Sequence, residues 1–131
     1  MFDGMESFIR DVSSLYHCAV ASGSNHAVID AVLSIRNIRN YFQAVVSSED
    51  VKKNKPEPDI FLRAAECIEV QPANCCVIED SVAGVQAGIA AGMKVIGITN
   101  SVSADALSKA HYVVESVEGP RSLLMKGALS R

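Results

Sequence analysis

Three short segments carry residue types that could do chemistry. Ser22-Gly23-Ser24-Asn25 sets a hydroxyl and a Gly-Ser turn just before a helical pattern, so backbone N–H groups could face an anion there. Ser and Asn are also ordinary helix N-caps, and capping alone would account for the segment. Lys55 lies in Lys55-Pro56-Glu57-Pro58, where two prolines restrict the backbone and can aim the ammonium at one point. A fixed cation beside an oxyanion is what phosphoryl transfer needs. The plainer reading is a solvated loop lysine, with Lys52 and Lys53 nearby. Glu79-Asp80-Ser81 places two consecutive carboxylates directly after the apolar run Cys75-Cys76-Val77-Ile78. They repel each other and lose hydration, and a hard cation such as magnesium relieves both problems. Helix capping by Asp80 or Ser81 is compatible with that role.

The apolar pattern around these segments alternates between two periods. Residues 5–15 have Phe8, Ile9, Val12 and Leu15 at helical spacing, and 26–37 repeat it through Val28, Ile29, Val32, Leu33 and Ile35. Ile60 to Ile68 reads as a helix with Pro58 suited to its first turn, and Val82 to Ala91 as another. Short continuous apolar runs at Cys18–Ala21, Ala44–Val46, Cys75–Ile78, Val95–Ile98 and Tyr112–Val114 read as strands buried on both faces. Further helices are expected at about 103–109 and 119–129. Strands joined through helices predict one Rossmann-like α/β domain, three layers α/β/α around a mostly parallel sheet. Such sheets bind ligands at the carboxyl ends of their strands, where all three segments fall.

One helix is unusual. Gly84, Gly88 and Gly92 recur every four residues beside Ala83, Ala87 and Ala91. An interior glycine costs about 1 kcal/mol in helix propensity, so close approach of this helix to the sheet should offset it. Gly92 is suited to cap it in a left-handed conformation.

Composition narrows the function classes. The chain has 131 residues, 49% apolar and 21% charged, with a net charge of −3, which suits one globular domain and gives no support for nucleic-acid binding. No basic stretch precedes an apolar run near Met1, and the most apolar region, Val82 to Ile98, is broken by Gln86, Lys94 and glycines, so no membrane span is expected. Cys18, Cys67, Cys75 and Cys76 show no CxxC spacing and form no cluster with His17, His26 or His111. They read as reduced thiols of a cytoplasmic protein.

In combination, Val20-Ala21-Ser22, Lys55-Pro56-Glu57-Pro58-Asp59-Ile60-Phe61 and Val77-Ile78-Glu79-Asp80-Ser81-Val82-Ala83-Gly84 resemble the second, third and fourth motifs of the haloacid dehalogenase superfamily. The β-phosphoglucomutase and phosphoglycolate phosphatase-like branch is the most similar, through Ala90-Ala91-Gly92-Met93 and Val95-Ile96-Gly97 as well. The resemblance runs from about residue 3 to 115. It implies a magnesium-dependent phosphatase or phosphomutase that acts on a small phosphorylated metabolite through an aspartyl-phosphate. Ser22 and the Gly23 amide would bind the transferring phosphoryl group, Lys55 would neutralise it and orient the nucleophile, and Asp80 with Glu79 would hold Mg2+. The family's first motif, Asp-x-Asp-Gly, is not matched: Phe2-Asp3-Gly4 imitates it, but Met1 stands where the first aspartate belongs. The resemblance therefore implies an incomplete core domain over 1–131, lacking the first, central strand with its nucleophile and the cap. Two strand edges, those ending at Ser22 and Asp80, would be left unpaired. An inactive chain alone, a missing N-terminal segment or a homodimer through those edges are the corresponding expectations. The alternative is a non-catalytic association module derived from the same fold. A receiver-like or dinucleotide-binding module fits less well, since no Gly-x-Gly-x-x-Gly loop is present.

Overall fold

The computed structural model describes residues 5–99 and 102–115. Its elements run in chain order as α1 (Met5–Ser13), β1 (Ala19–Ala21), α2 (His26–Arg36), β2 (Ala44–Val46), α3 (Asp59–Cys67), β3 (Cys76–Glu79), α4 (Val82–Ala90), β4 (Lys94–Ile98) and β5 (Tyr112–Val114). Each follows from the local pattern described above, within one or two residues. Two expectations differ. Residues 103–109 form turns instead of a helix, with bonds such as Leu107 N–H to the Ala104 carbonyl that reach back only three residues. A serine-rich segment that buries only Leu107 gains too little from packing to nucleate a short helix. The helix expected at 119–129 lies outside the described residues.

The strands fall into two parallel groups. β1 pairs with β2, and β3, β4 and β5 pair in that order. No strand pairing joins β1 to β3 among the described residues, so the sheet is interrupted where the sequence resemblance implied a lost central strand.

Helices cover both faces, which gives the three layers. On one face, Ile60, Phe61, Ala64 and Ala65 of α3 and Val85 and Ala87 of α4 pack with Val46, Val77 and Val95. On the other, Phe8, Ile9 and Val12 of α1 and Ile29 and Leu33 of α2 pack with Ile96 and Ile98. Successive residues of one strand go to opposite faces, so both faces must be apolar, and the continuous runs follow. Turns after the helices are closed by left-handed residues: Asn37 at φ 56° ends α2 and Gly92 at φ 79° follows α4.

The glycine stripe of α4 meets the sheet as its composition requires. A β-carbon at Gly88 would lie 2.7 Å from Cγ2 of Val95 and 3.4 Å from Val77, while at Gly84 it would overlap the Glu79 side chain. Small residues thus bring α4 down onto β3 and β4.

Candidate active site

The carboxyl ends of β1 and β3 meet at Lys55. Its Nζ lies 2.8 Å from Oε2 of Glu79, at the end of β3, and donates to the Ala21 carbonyl at the end of β1, 3.4 Å away. The two side chains are only 16% and 12% exposed, so this ion pair is largely withdrawn from water. The ammonium also sits 5.0 Å from the centroid of the Phe61 ring, in range of a cation–π contact. The Lys55–Pro56 peptide is cis. Lys55 is therefore a positioned cation and not a solvated loop lysine.

Glu79 has both oxygens engaged. Oε2 takes Lys55, and Oε1 accepts from the Asp80 N–H and the Ser81 hydroxyl, each at 3.2 Å. Ser81 also accepts from the Gly84 N–H at 3.0 Å and so caps α4. The contacts Lys55–Glu79–Ser81 link the end of β3 to the start of α4. The capping reading of the Glu-Asp-Ser segment is realised through Ser81.

Ser22 continues from Ala21. Its N–H donates to the Val46 carbonyl, and its Oγ accepts from the Ser24 N–H at 3.1 Å. A β-carbon at Gly23 would meet nothing within 4 Å, so open space adjoins that turn. Asn25, through its side-chain oxygen, caps α2 by accepting from the Val28 N–H at 3.0 Å. The structure thus gathers Lys55, Glu79 and the residue before Ser22 into one cluster, with Asp80 adjoining it.

The residues suit magnesium in type and in number. Mg2+ keeps several waters and takes one or two protein carboxylates plus phosphate oxygens. Asp80 and Glu79 supply carboxylates at the strand end, and Glu79 is already committed to Lys55. No group of three or more His, Cys, Asp or Glu that could hold a metal ion forms among the described residues.

A second polar cluster was not read from the sequence. Ser47 is fully buried, and its backbone N–H donates to the Asp50 carboxylate while its hydroxyl accepts from the Glu49 N–H. Asp50 also bonds His26 Nε2 at 2.7 Å, and Glu49 accepts from the His26 N–H at 2.8 Å. These carboxylates tie the start of α2 to the turn after β2. The hydrogen bond to Asp50 raises the His26 pKa above its ordinary value. The Ser47 N–H, and then His26, lower that of Asp50. The Ser-x-x-Asp spacing, a capping signature, was the available signal.

A cavity of about 800 Å3 lies between β1 and β3, walled by Ala19 and Ala21 on one side and Cys76 and Ile78 on the other, and reaching Ser22 and Glu79 at its end. The chain belongs to the haloacid dehalogenase-like hydrolase family, whose model matches residues 1–98. It is 45% identical over 103 residues to the fructose-1-phosphate phosphatase of Escherichia coli, covering 75% of this chain and 55% of that protein. It is 42% identical over 79 residues to the β-phosphoglucomutase of Bacillus subtilis, covering 60% and 34%. The crystal structure of β-phosphoglucomutase from Clostridium difficile matches with a TM-score of 0.80 at 33% identity, over 95% of this chain and 56% of that one. A family hydrolase from Deinococcus radiodurans, with bound phosphate and sodium, matches at 0.83 and 27% identity, over 98% and 61%. The chain spans about half the length of the curated relatives it matches, or less. Among the described residues, no helix is long and apolar enough to cross a membrane.

Proposed function

We propose that this chain forms the phosphate- and magnesium-binding part of a phosphatase or phosphomutase acting on a small phosphorylated metabolite. The observation that carries the reading is the Lys55 ammonium, held by Glu79 and the Ala21 carbonyl at the shared carboxyl end of β1 and β3, next to Ser22. A cation fixed in that way offsets the charge on a phosphoryl oxygen without reorganising. The Ser22 hydroxyl and the Gly23 N–H would donate to further phosphoryl oxygens. Asp80, with Glu79, would hold Mg2+, which when bound supplies charge neutralisation at the phosphate. Glu79 keeps Lys55 aimed.

The nucleophile is an aspartate carboxylate from outside residues 5–115, which takes the phosphoryl group as the ester P–O bond breaks, while a second aspartate of the same segment gives its proton to the departing alcohol. Water then attacks the phosphorus of the aspartyl-phosphate and returns the carboxylate, or a second hydroxyl takes the group in a mutase. The sugar-phosphate activities named for the relatives in Escherichia coli and Bacillus subtilis support a phosphosugar as the substrate class. Four free thiols fit a reducing, cytoplasmic setting.

Calorimetric titration of the chain with inorganic phosphate tests this reading. Binding should require Mg2+ and should be lost in both Lys55→Ala and Asp80→Asn, while Lys52→Ala leaves it intact. Phosphate binding that ignores magnesium, or survives in both variants, overturns it. In an assay with an aryl phosphate, the chain alone should show no turnover.

A further inference from the structure

The loop Ser22-Gly23-Ser24-Asn25 is held by the turn that follows β2. Ser22 donates its N–H to the Val46 carbonyl, and the Ser24 carbonyl accepts from the N–H and the hydroxyl of Ser48, at 3.2 and 3.4 Å. One residue beyond the loop, the His26 N–H donates to Oε1 of Glu49 at 2.8 Å. The His26 ring nitrogen Nε2 lies 2.7 Å from Oδ2 of Asp50. These contacts bracket the loop from Ser22 to His26, while Gly23 itself adjoins open space.

The turn that makes these contacts is anchored inside the fold. Ser47 is fully buried, its N–H donates to the same Asp50 oxygen at 2.8 Å, and its hydroxyl accepts from the Glu49 N–H at 3.0 Å. One carboxylate oxygen of Asp50 therefore links a buried residue to the first residue of α2. The charge around the loop runs against anion binding. Glu49 and Asp50 bring two carboxylates to it, and Asp30 adds another from α2 itself. Carboxylates beside an incoming phosphoryl group repel it, so their use lies in the shape they give the loop.

We propose that Asp50 and His26 are positioning residues for the phosphoryl group: their bond fixes the Ser22–Asn25 loop with its N–H groups presented, and protonation of the imidazole tightens that hold. The inference rests on the phosphate-binding reading of the loop, and neither side chain touches the phosphoryl group in this role. A charge-assisted hydrogen bond is roughly twice as strong as a neutral one. The bond to Asp50 raises the His26 pKa above its ordinary value, with Glu49 and Asp30 acting in the same direction. The Asp50 pKa is lowered, first by the Ser47 N–H. On the alkaline side, the charged pair is therefore complete below about 6.5 and is lost as pH rises through the raised His26 value. Phosphate affinity should weaken over the same range.

Calorimetric titration of the whole chain with inorganic phosphate and Mg2+ tests this at about pH 6, where His26 is protonated. Charge alone and positioning predict opposite signs for Asp50→Asn. Loss of a carboxylate beside an anion site should strengthen binding, whereas a loosened loop should bind about threefold more weakly or worse. Asp30→Asn removes a nearby carboxylate and none of these bonds, so it should not weaken binding. His26→Gln, at an exposed position, keeps a donor toward Asp50 without the charge. It should bind as weakly as Asp50→Asn at that pH and approach wild type as pH rises through the His26 pKa, followed on the ring by NMR. Taking each ratio to wild type at the same pH cancels the titration of phosphate itself. Binding that is unchanged or tighter in Asp50→Asn, or a His26→Gln ratio that stays constant with pH, overturns the proposal. The phosphate-site reading then still stands if Lys55→Ala abolishes binding. A wild-type chain that binds no phosphate with Mg2+ at any pH overturns both.

Discussion

The chain contains two strand–turn–helix units with the same local grammar and opposite fates. In one, β1 leads through Ser22-Gly23-Ser24-Asn25 into α2, and in the other, β3 leads through Glu79-Asp80-Ser81 into α4. Each helix is capped by a side chain, Asn25 or Ser81, that accepts from the N–H three residues on. Yet α4 is pressed onto β3 and β4 through Gly84 and Gly88, whereas α2 leaves Val28, Val32 and Ile35 49%, 43% and 81% exposed. The difference is in the packing. Each strand has one paired neighbour, β4 or β2, and turns its other edge to the cavity, but α4 packs closely on Val77 and Val95 of its pair, whereas α2 buries only Ile29 and Leu33. Capping and periodicity make a helix, but the strands beneath decide whether its apolar face is used.

The largest test of that contrast is a pair of substitutions. Gly88→Val would drive branched carbons into Val95 and Val77, backbone-supported neighbours that cannot swing aside, and should cost about 3 kcal/mol. Val32→Ala on α2 removes a half-exposed side chain and should cost less than about 1 kcal/mol. Urea unfolding followed by circular dichroism measures both. Equal losses would mean that α2 is as tightly packed as α4 and that the contrast is illusory.

Where the two units join, the Lys55–Glu79 pair should carry the next effect. Lys55→Met leaves the Glu79 carboxylate, 12% exposed, without its countercharge and should cost about 1–3 kcal/mol. Adding Glu79→Gln should restore part of the loss, since neither charge then remains. A double-mutant cycle showing no coupling would mean the strand ends are held by other contacts.

Gly84→Ala should separate stability from binding within the closed unit. The new methyl meets the flexible end of Glu79 and not backbone, so Glu79 can move away, and the gain of about 1 kcal/mol in helix propensity offsets the disturbance. Stability should change little, while magnesium-dependent phosphate affinity falls because Lys55 loses its anchor. A variant with unchanged affinity would remove Glu79 from the site.

Much of this was legible in the residues. The strand β2 and the approach of α4 to the sheet followed from Ala44-Val45-Val46 and from glycines every four residues. The cluster of Lys55 with the ends of β1 and β3 was legible only as three segments on one edge. That Glu79 commits to Lys55 depends on side-chain reach across 24 residues of sequence, which no spacing rule encodes. His26 was hidden for the same reason: its partners Glu49 and Asp50 lie in a turn after a different strand. The expected helix at 103–109 failed because its pattern had one buried anchor, Leu107, where a helix face needs several.

The smallest effect belongs to that histidine. His26 and Asp50 are both exposed, so their pair stabilises the start of α2 only slightly and is screened by salt. Its pH window still has a definite sign. The His26 pKa is raised above its ordinary 6.5, so its contribution is complete below about 6.5 and is lost as pH rises through the raised value. The Asp50 pKa is lowered below 3.8, so its contribution is complete above about 3.8 and is lost as pH falls through the lowered value. Between those limits α2 is tied to the turn after β2 by a charged hydrogen bond, whereas α4 is capped by the neutral Ser81 hydroxyl. NMR titration of the His26 ring should give a pKa above the ordinary histidine value that drops in Asp50→Asn. Asparagine keeps an acceptor for the Ser47 N–H and removes only the charge, so the capping turn survives the test. A His26 pKa unmoved by that substitution would mean that α2 starts without electrostatic help from Asp50.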